Sequence, residues 1–158
     1  MSPRPLVALF AVLAMTAMDS AAALRVGELA VRSGSTGLPC FTISKAEEER
    51  AGSPNFHSIT VTEGKTTMWS MAMPAQRTFP VSFRMCIPYA GRLPVLPQTP
   101  AAELQSGKVY EVVLESRQPP DASKPRSYRG RFCVVPGASG VSVFTPVSRS
   151  ACTDTWRR

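Results

Sequence analysis

Residues 104–116 constrain this chain most, because they alternate more cleanly than any other segment. After a turn at Ser106-Gly107, Tyr110, Val112 and Leu114 fall on one face. Glu111 and Glu115 fall on the other, with Val109 and Val113 between them. Successive side chains of a strand point to opposite sides, so this period predicts an antiparallel strand with one face in a core and one toward solvent. A strand of this kind needs a second layer to cover its apolar face. The lead-in Leu104, Gly107, Tyr110 is of the kind by which a tyrosine anchors a sheet corner in extracellular β-sandwiches.

Other segments repeat the pattern. Residues 24–32 place Leu29 and Val31 inward, and residues 38–44 set Phe41 and Ile43 against Cys40 and Thr42. Residues 56–62 align His57 with Ile59 and Val61, and residues 66–73 align Trp69 with Met71 and Met73. Residues 79–87 alternate strictly, with Pro80 arguing for an edge position. Residues 128–135 turn Tyr128, Phe132 and Val134 inward, and residues 141–147 form a last strand. Glycine, proline and small polar residues punctuate these runs. The charged stretch 45–52 reads as a loop with room for one helical turn, and Thr99-Pro100 as the start of another. Short strands without a long helix predict an all-β antiparallel β-sandwich of about seven or eight strands, immunoglobulin-like in size.

The two ends bear on compartment. Arg4 precedes an uncharged apolar run, 6–18, and small residues close it at Ala21-Ala22-Ala23. This is the pattern of a secretory signal peptide, residues 1–23, leaving one domain over 24–158. The expected location is the periplasm of a bacterial cell, or outside it. The formal charge is +7, and Arg4 and Asp19 cancel, so the mature chain keeps it. A basic surface favours an acidic partner. No nucleic-acid motif is present, and no later segment is long and apolar enough to anchor the chain in a membrane.

Four cysteines, Cys40, Cys86, Cys133 and Cys152, read in an exported chain as two disulfides with three possible connectivities. Strand alternation sets Cys40 opposite Phe41, Cys86 opposite Ile87, and Cys133 opposite Phe132. The bridges are therefore expected on outer faces or at strand ends, stapling strands or tying down a tail, rather than through the core. Cys40–Cys86 and Cys133–Cys152 are the favoured pairs, the second fastening the C-terminal tail.

Binding is expected of the proline-bearing loops 117–127 and 87–100, where Tyr89, Arg92, Arg117, Lys124 and Arg126 supply aromatic and basic groups. Arg129 and Arg131 read better as cross-strand partners of Glu111 and Glu115. Met68, Met71 and Met73, with His57, offer soft ligands for copper, against the simpler reading that the methionines fill a core. No cofactor is called for. His57 lacks a recognisable nucleophile and orienting acid, so an enzyme acting on envelope polymers ranks below a binding protein.

Four short motifs, Pro39–Ile43, Met85–Gly91, Gly107–Tyr110 and Arg131–Cys133, together resemble a group of small bacterial envelope proteins described as type VI secretion immunity periplasmic proteins. The chain departs from that group in lacking a lipoprotein cysteine. The resemblance implies a β-sandwich that binds and neutralises a secreted effector, a protein partner with an acidic site.

Overall fold

The computed structural model describes residues 25–91, 96–117, 123–136, 142–146 and 152. The signal segment 1–23 and Arg92 lie outside these residues. Among the described residues, eight strands and one short helix follow in order: β1 Val26–Ser33, β2 Pro39–Ile43, α1 Lys45–Ala51, β3 Phe56–Glu63, β4 Thr66–Ala72, β5 Ile87–Pro88, β6 Val109–Ser116, β7 Ser127–Pro136 and β8 Ser142–Pro146.

The strands form one curled mixed sheet, a half-barrel, and not the expected sandwich. Its order is β4-β3-β6-β7-β1-β2-β5, with β8 pairing β7. The departure begins in β1. Val26–Glu28 pair in parallel with Ser127–Arg129 of β7, whereas Leu29–Ser33 pair antiparallel with β2. One strand thus belongs to both halves, and what would be two stacked sheets become continuous. Two glycines allow the close approach. A Cβ on Gly27 would lie 2.3 Å from the Tyr128 ring, and one on Gly130 would lie 2.8 Å from the Leu29 carbonyl oxygen. Alternation tells which face of a strand is apolar. It does not tell which strand lies beside it, or in which direction.

The opening strand behaves as its pattern demands. In β6, Tyr110, Val112 and Leu114 are fully buried, and residues 109, 111, 113 and 115 are half-buried on the other face. Tyr110 lies opposite Phe132 of β7, and their rings stack at 5.3 Å. Phe132 also meets Phe41 of β2 at 5.8 Å and Phe144 of β8 at 6.1 Å. These contacts bring β2, β6, β7 and β8 onto one core. The tyrosine corner is present: the Gln105 N–H donates to the Tyr110 hydroxyl at 2.8 Å, and Gly107 takes φ +80° in the turn between them.

Several expectations are corrected. Residues 79–87 are not a strand apart from Ile87. They run as a loop tied down at Val81, whose N–H reaches the Pro54 carbonyl, with an isolated bridge from Pro80 to Asn55. This loop packs where a strand's outer face would be open to solvent, so β2 is buried along its whole length. Residues 45–51 make a true helix. Ser44 caps it, its Oγ accepting from the Glu47 N–H at 3.1 Å, and Gly52 ends it at φ +76°. Thr99 starts no helix. The extended segment 97–102 instead lies along the free edge of β4. Ala72 donates to Pro97, Thr99 to Ser70 and Ala102 to Met68, all through backbone groups. An open strand edge invites pairing with another chain, and this segment covers it.

Both favoured disulfides are present, Cys40–Cys86 and Cys133–Cys152, with Cα separations of 5.4 and 5.9 Å. They suggest an oxidising, extracytoplasmic location. They are not surface staples, however. Cys133 is only 2% exposed, and Cys40 and Cys152 are also buried. Loop 79–87 covers Cys40 and the bonded Cys152 covers Cys133, while the same side of β7 stays exposed at Arg129 and Arg131. Among the described residues no helix is long and apolar enough to cross a membrane.

Candidate functional site

Stretches far apart in sequence meet around an open hollow of about 390 Å³. Leu38 stands in the β1–β2 turn, Tyr89 and Ala90 follow β5, and residues 101–104 approach the tyrosine corner. Val134 and Phe144 complete the wall from β7 and β8. The volume falls within the range of small-ligand and side-chain pockets. The walls are mainly apolar, and Glu103 is the one charged residue among those lining it. Leu38 is 38% exposed, unusual for a leucine in a turn otherwise made of glycine, serine and threonine.

The backbone under the hollow is strained. Ala90 has φ +57°, the only positive φ among the described non-glycine residues. It sits in a turn closed by the Gly91 N–H on the Pro88 carbonyl at 3.1 Å. A left-handed conformation costs a residue with a Cβ about 1–2 kcal/mol, and such strain concentrates at functional sites. Next to it, Tyr89 joins the two ends of the half-barrel. Its hydroxyl donates to the Ala102 carbonyl at 2.7 Å and lies 3.2 Å from the Met68 carbonyl, while its ring meets Trp69 at 5.4 Å. A hydroxyl has one proton to give, so the shorter contact takes it. Burial pushes the Tyr89 hydroxyl pKa up to about 12. Tyr89 is therefore a wall and a strut, with its polar atom already committed.

The remaining candidates are dispersed. Arg117 is half-buried and donates to the carbonyls of Pro74 and Arg77 at 2.7 and 2.9 Å, which makes it a pin between loops. Lys124 and Arg126 are exposed on the approach to β7. Arg129 pairs with Glu111 at 3.8 Å across the outer face, and Arg131 stands opposite Glu111 in the register. This is half of the cross-strand pairing read from the sequence, since Glu115 lies opposite Ser127 instead, and it is worth at most about 1 kcal/mol at such exposure. Met68 and Met71 are buried in the core and Met73 packs against it. His57 does not join them. The β3–β6 register shifts between Phe56 and Ser58, and this bulge turns His57 out to solvent, breaking its alignment with Ile59 and Val61. Among the described residues no three His, Cys, Asp or Glu side chains converge on a common point.

Sequence reasoning missed a buried ionic cluster. Glu47 lies third in the Ser44 capping position, where its carboxylate ordinarily turns back on the cap. Here it is buried, its side chain 3% exposed, and accepts from Arg25 at 3.0 and 2.6 Å and from the Glu28 N–H at 3.3 Å. Burial alone would raise its pKa. The hydrogen bonds from Arg25 and Glu28, with the charges of Arg25 and Arg50, outweigh that and hold the carboxyl below its ordinary value. Nearby, burial first and the Glu47 charge second push the Tyr128 hydroxyl up to about 12. The cluster locks α1 to β1 and none of its residues lines the hollow. Its one sequence signal was a Ser-x-x-Glu box two strands' length from an isolated arginine.

No family model matches the chain, and no curated protein or solved structure is significantly similar to it.

Proposed function

We propose that this chain is an exported, disulfide-stapled binding domain. It works without catalysis in the periplasm or outside the cell, by seating a side chain or loop of a partner protein. The observation that carries the reading is the open apolar hollow with strained Ala90 on its wall and Leu38 exposed at its mouth. Its chemistry is that of a receptor. Apolar walls supply contact area, Glu103 and the backbone supply orientation, and the one hydroxyl in reach is spent on the Ala102 carbonyl. Neutralising a secreted effector by occlusion fits this chemistry. Such a role is what the resemblance of the four short motifs implies.

The test is capture by the immobilised, oxidised protein from periplasmic extract and from the secretions of neighbouring cells. A Leu38→Glu variant is run beside wild type, and Lys65→Glu, in the exposed β3–β4 turn, is the control. The expected result is one protein retained by wild type and by the control and lost with Leu38→Glu. Equal retention by all three, or no specific retention, refutes the reading.

A further inference from the structure

We infer a second contact surface, built from Arg32, Phe83, Arg84 and Met85, whose partner is an acidic protein segment carrying an apolar side chain next to its carboxylates. It rests on the reading of the chain as a protein-binding domain and adds the chemistry of the partner. The loop concerned is the one that replaces the expected strand. Strict alternation would turn Val81, Phe83 and Met85 all into a core. Only Val81 goes there; Phe83 is half-buried and Met85 is 40% exposed, with Arg84 exposed beside it.

The loop is held rigid from four directions. The Val81 N–H donates to the Pro54 carbonyl at 2.8 Å, and Thr42 Oγ1 donates to the Ser82 carbonyl at 2.8 Å. The Phe83 N–H reaches Glu48 Oε1 at 3.1 Å, and Cys86 is bonded to Cys40. A short turn from the Met85 N–H to the Ser82 carbonyl closes the tip. The Arg32 guanidinium lies 4.1 Å over the Phe83 ring, which fixes the cation in place. Anchors of this number are not needed to solubilise a loop. They pre-organise its outward residues, which removes the ordering cost that otherwise opposes binding.

The residue types and charge name the partner. Arginine, methionine and aromatic residues are those enriched at the centres of protein interfaces. Arg32 and Arg84 form no ion pair among the described residues. The nearest acid bonded to the loop, Glu48, has Oε1 engaged by the Phe83 N–H and by Ser53 Oγ. A cation held over the Phe83 ring and the exposed Arg84, beside an exposed thioether and a half-covered ring, complement a carboxylate pair flanking an aliphatic or aromatic group. An anionic membrane fits less well, since surface attraction of that kind takes clusters of about 4–8 basic residues.

A phage-displayed random peptide library panned on the oxidised protein tests this, with enriched peptides then titrated against wild type, Arg84→Glu, Met85→Ser and Leu38→Glu. Thermal melting of each variant verifies its fold. The expected consensus places Asp or Glu beside Leu, Phe or Trp. Binding falls about tenfold or more with Arg84→Glu, falls with Met85→Ser, and weakens with added salt. Peptides without acidic residues, or peptides indifferent to Arg84→Glu, overturn the inference. If those peptides respond to Leu38→Glu instead, the hollow stands while this surface falls. Phosphatidylglycerol vesicles that bind in an Arg84-dependent way, with no acidic peptide selected, assign the patch to lipid and also overturn it.

Discussion

Replacing Glu47 by alanine tests whether the buried cluster, rather than helix propensity, holds α1 against the sheet. Three hydrogen bonds to an ionised group are lost, two from Arg25 and one from the Glu28 N–H. Removing one partner of a buried pair costs about 3–5 kcal/mol when the other charge stays buried. Arg25 keeps 32% of its side chain exposed and can rehydrate, so the expected loss is about 2–4 kcal/mol. With a urea slope of about 2 kcal/mol/M, the unfolding midpoint falls by about 1–2 M at pH 7. The pH dependence carries the sign. Glu47 has a lowered pKa in the folded state, so its contribution is present above the ordinary carboxylate value, about 4.3, and is lost as pH falls through the folded one. The gap between wild type and Glu47→Ala is therefore full at neutral pH and closes in acid. Urea titrations followed by tryptophan fluorescence and far-UV circular dichroism at a series of pH values measure both. A loss under about 1 kcal/mol, or a gap that does not narrow in acid, refutes the reasoning.

Three further outcomes are expected. Paired Cys→Ser replacement of Cys40 and Cys86 costs about 4 kcal/mol on loop-entropy grounds and that of Cys133 and Cys152 about 3, so equilibrium unfolding should rank the first as the more damaging. Gly130→Ala places a methyl 2.8 Å from the Leu29 backbone oxygen, which no rotamer change relieves; a loss of about 1–3 kcal/mol in thermal or urea unfolding is expected. Ala90→Gly relieves the left-handed strain and stabilises the protein by up to about 1 kcal/mol in the same assay, while a destabilised variant would show that the turn is not strained.

Much of the local structure was legible in the chain. Tyr110, Val112 and Leu114 point inward because strand geometry leaves no choice once the period is two. The tyrosine corner was readable because its residues are neighbours, whereas four cysteines left three connectivities open, and the favoured one is the one present. What could not be read depended on partners distant in sequence. His57 was misplaced because the bulge between Phe56 and Ser58 breaks the alternation ahead of Ile59 and Val61, which stay buried. Residues 79–87 alternate as a strand does, yet strands accept only their ends, Phe79 at Phe56 and Ile87 at Phe41; between them the hydrogen bonds go to Pro54, Thr42 and Glu48.

The sequence by itself determined most of the strands and which of their faces are apolar. These are local or nearest-neighbour matters, governed by backbone sterics, period and covalent geometry. Only the tertiary structure decided that β1 joins two halves into one curled sheet, because Gly27 and Gly130 let its backbone approach β7. The same is true of the hollow and the arginine-bearing loop. Each is assembled from segments dozens of residues apart, brought together by the core that Phe132 shares with Tyr110, Phe41 and Phe144.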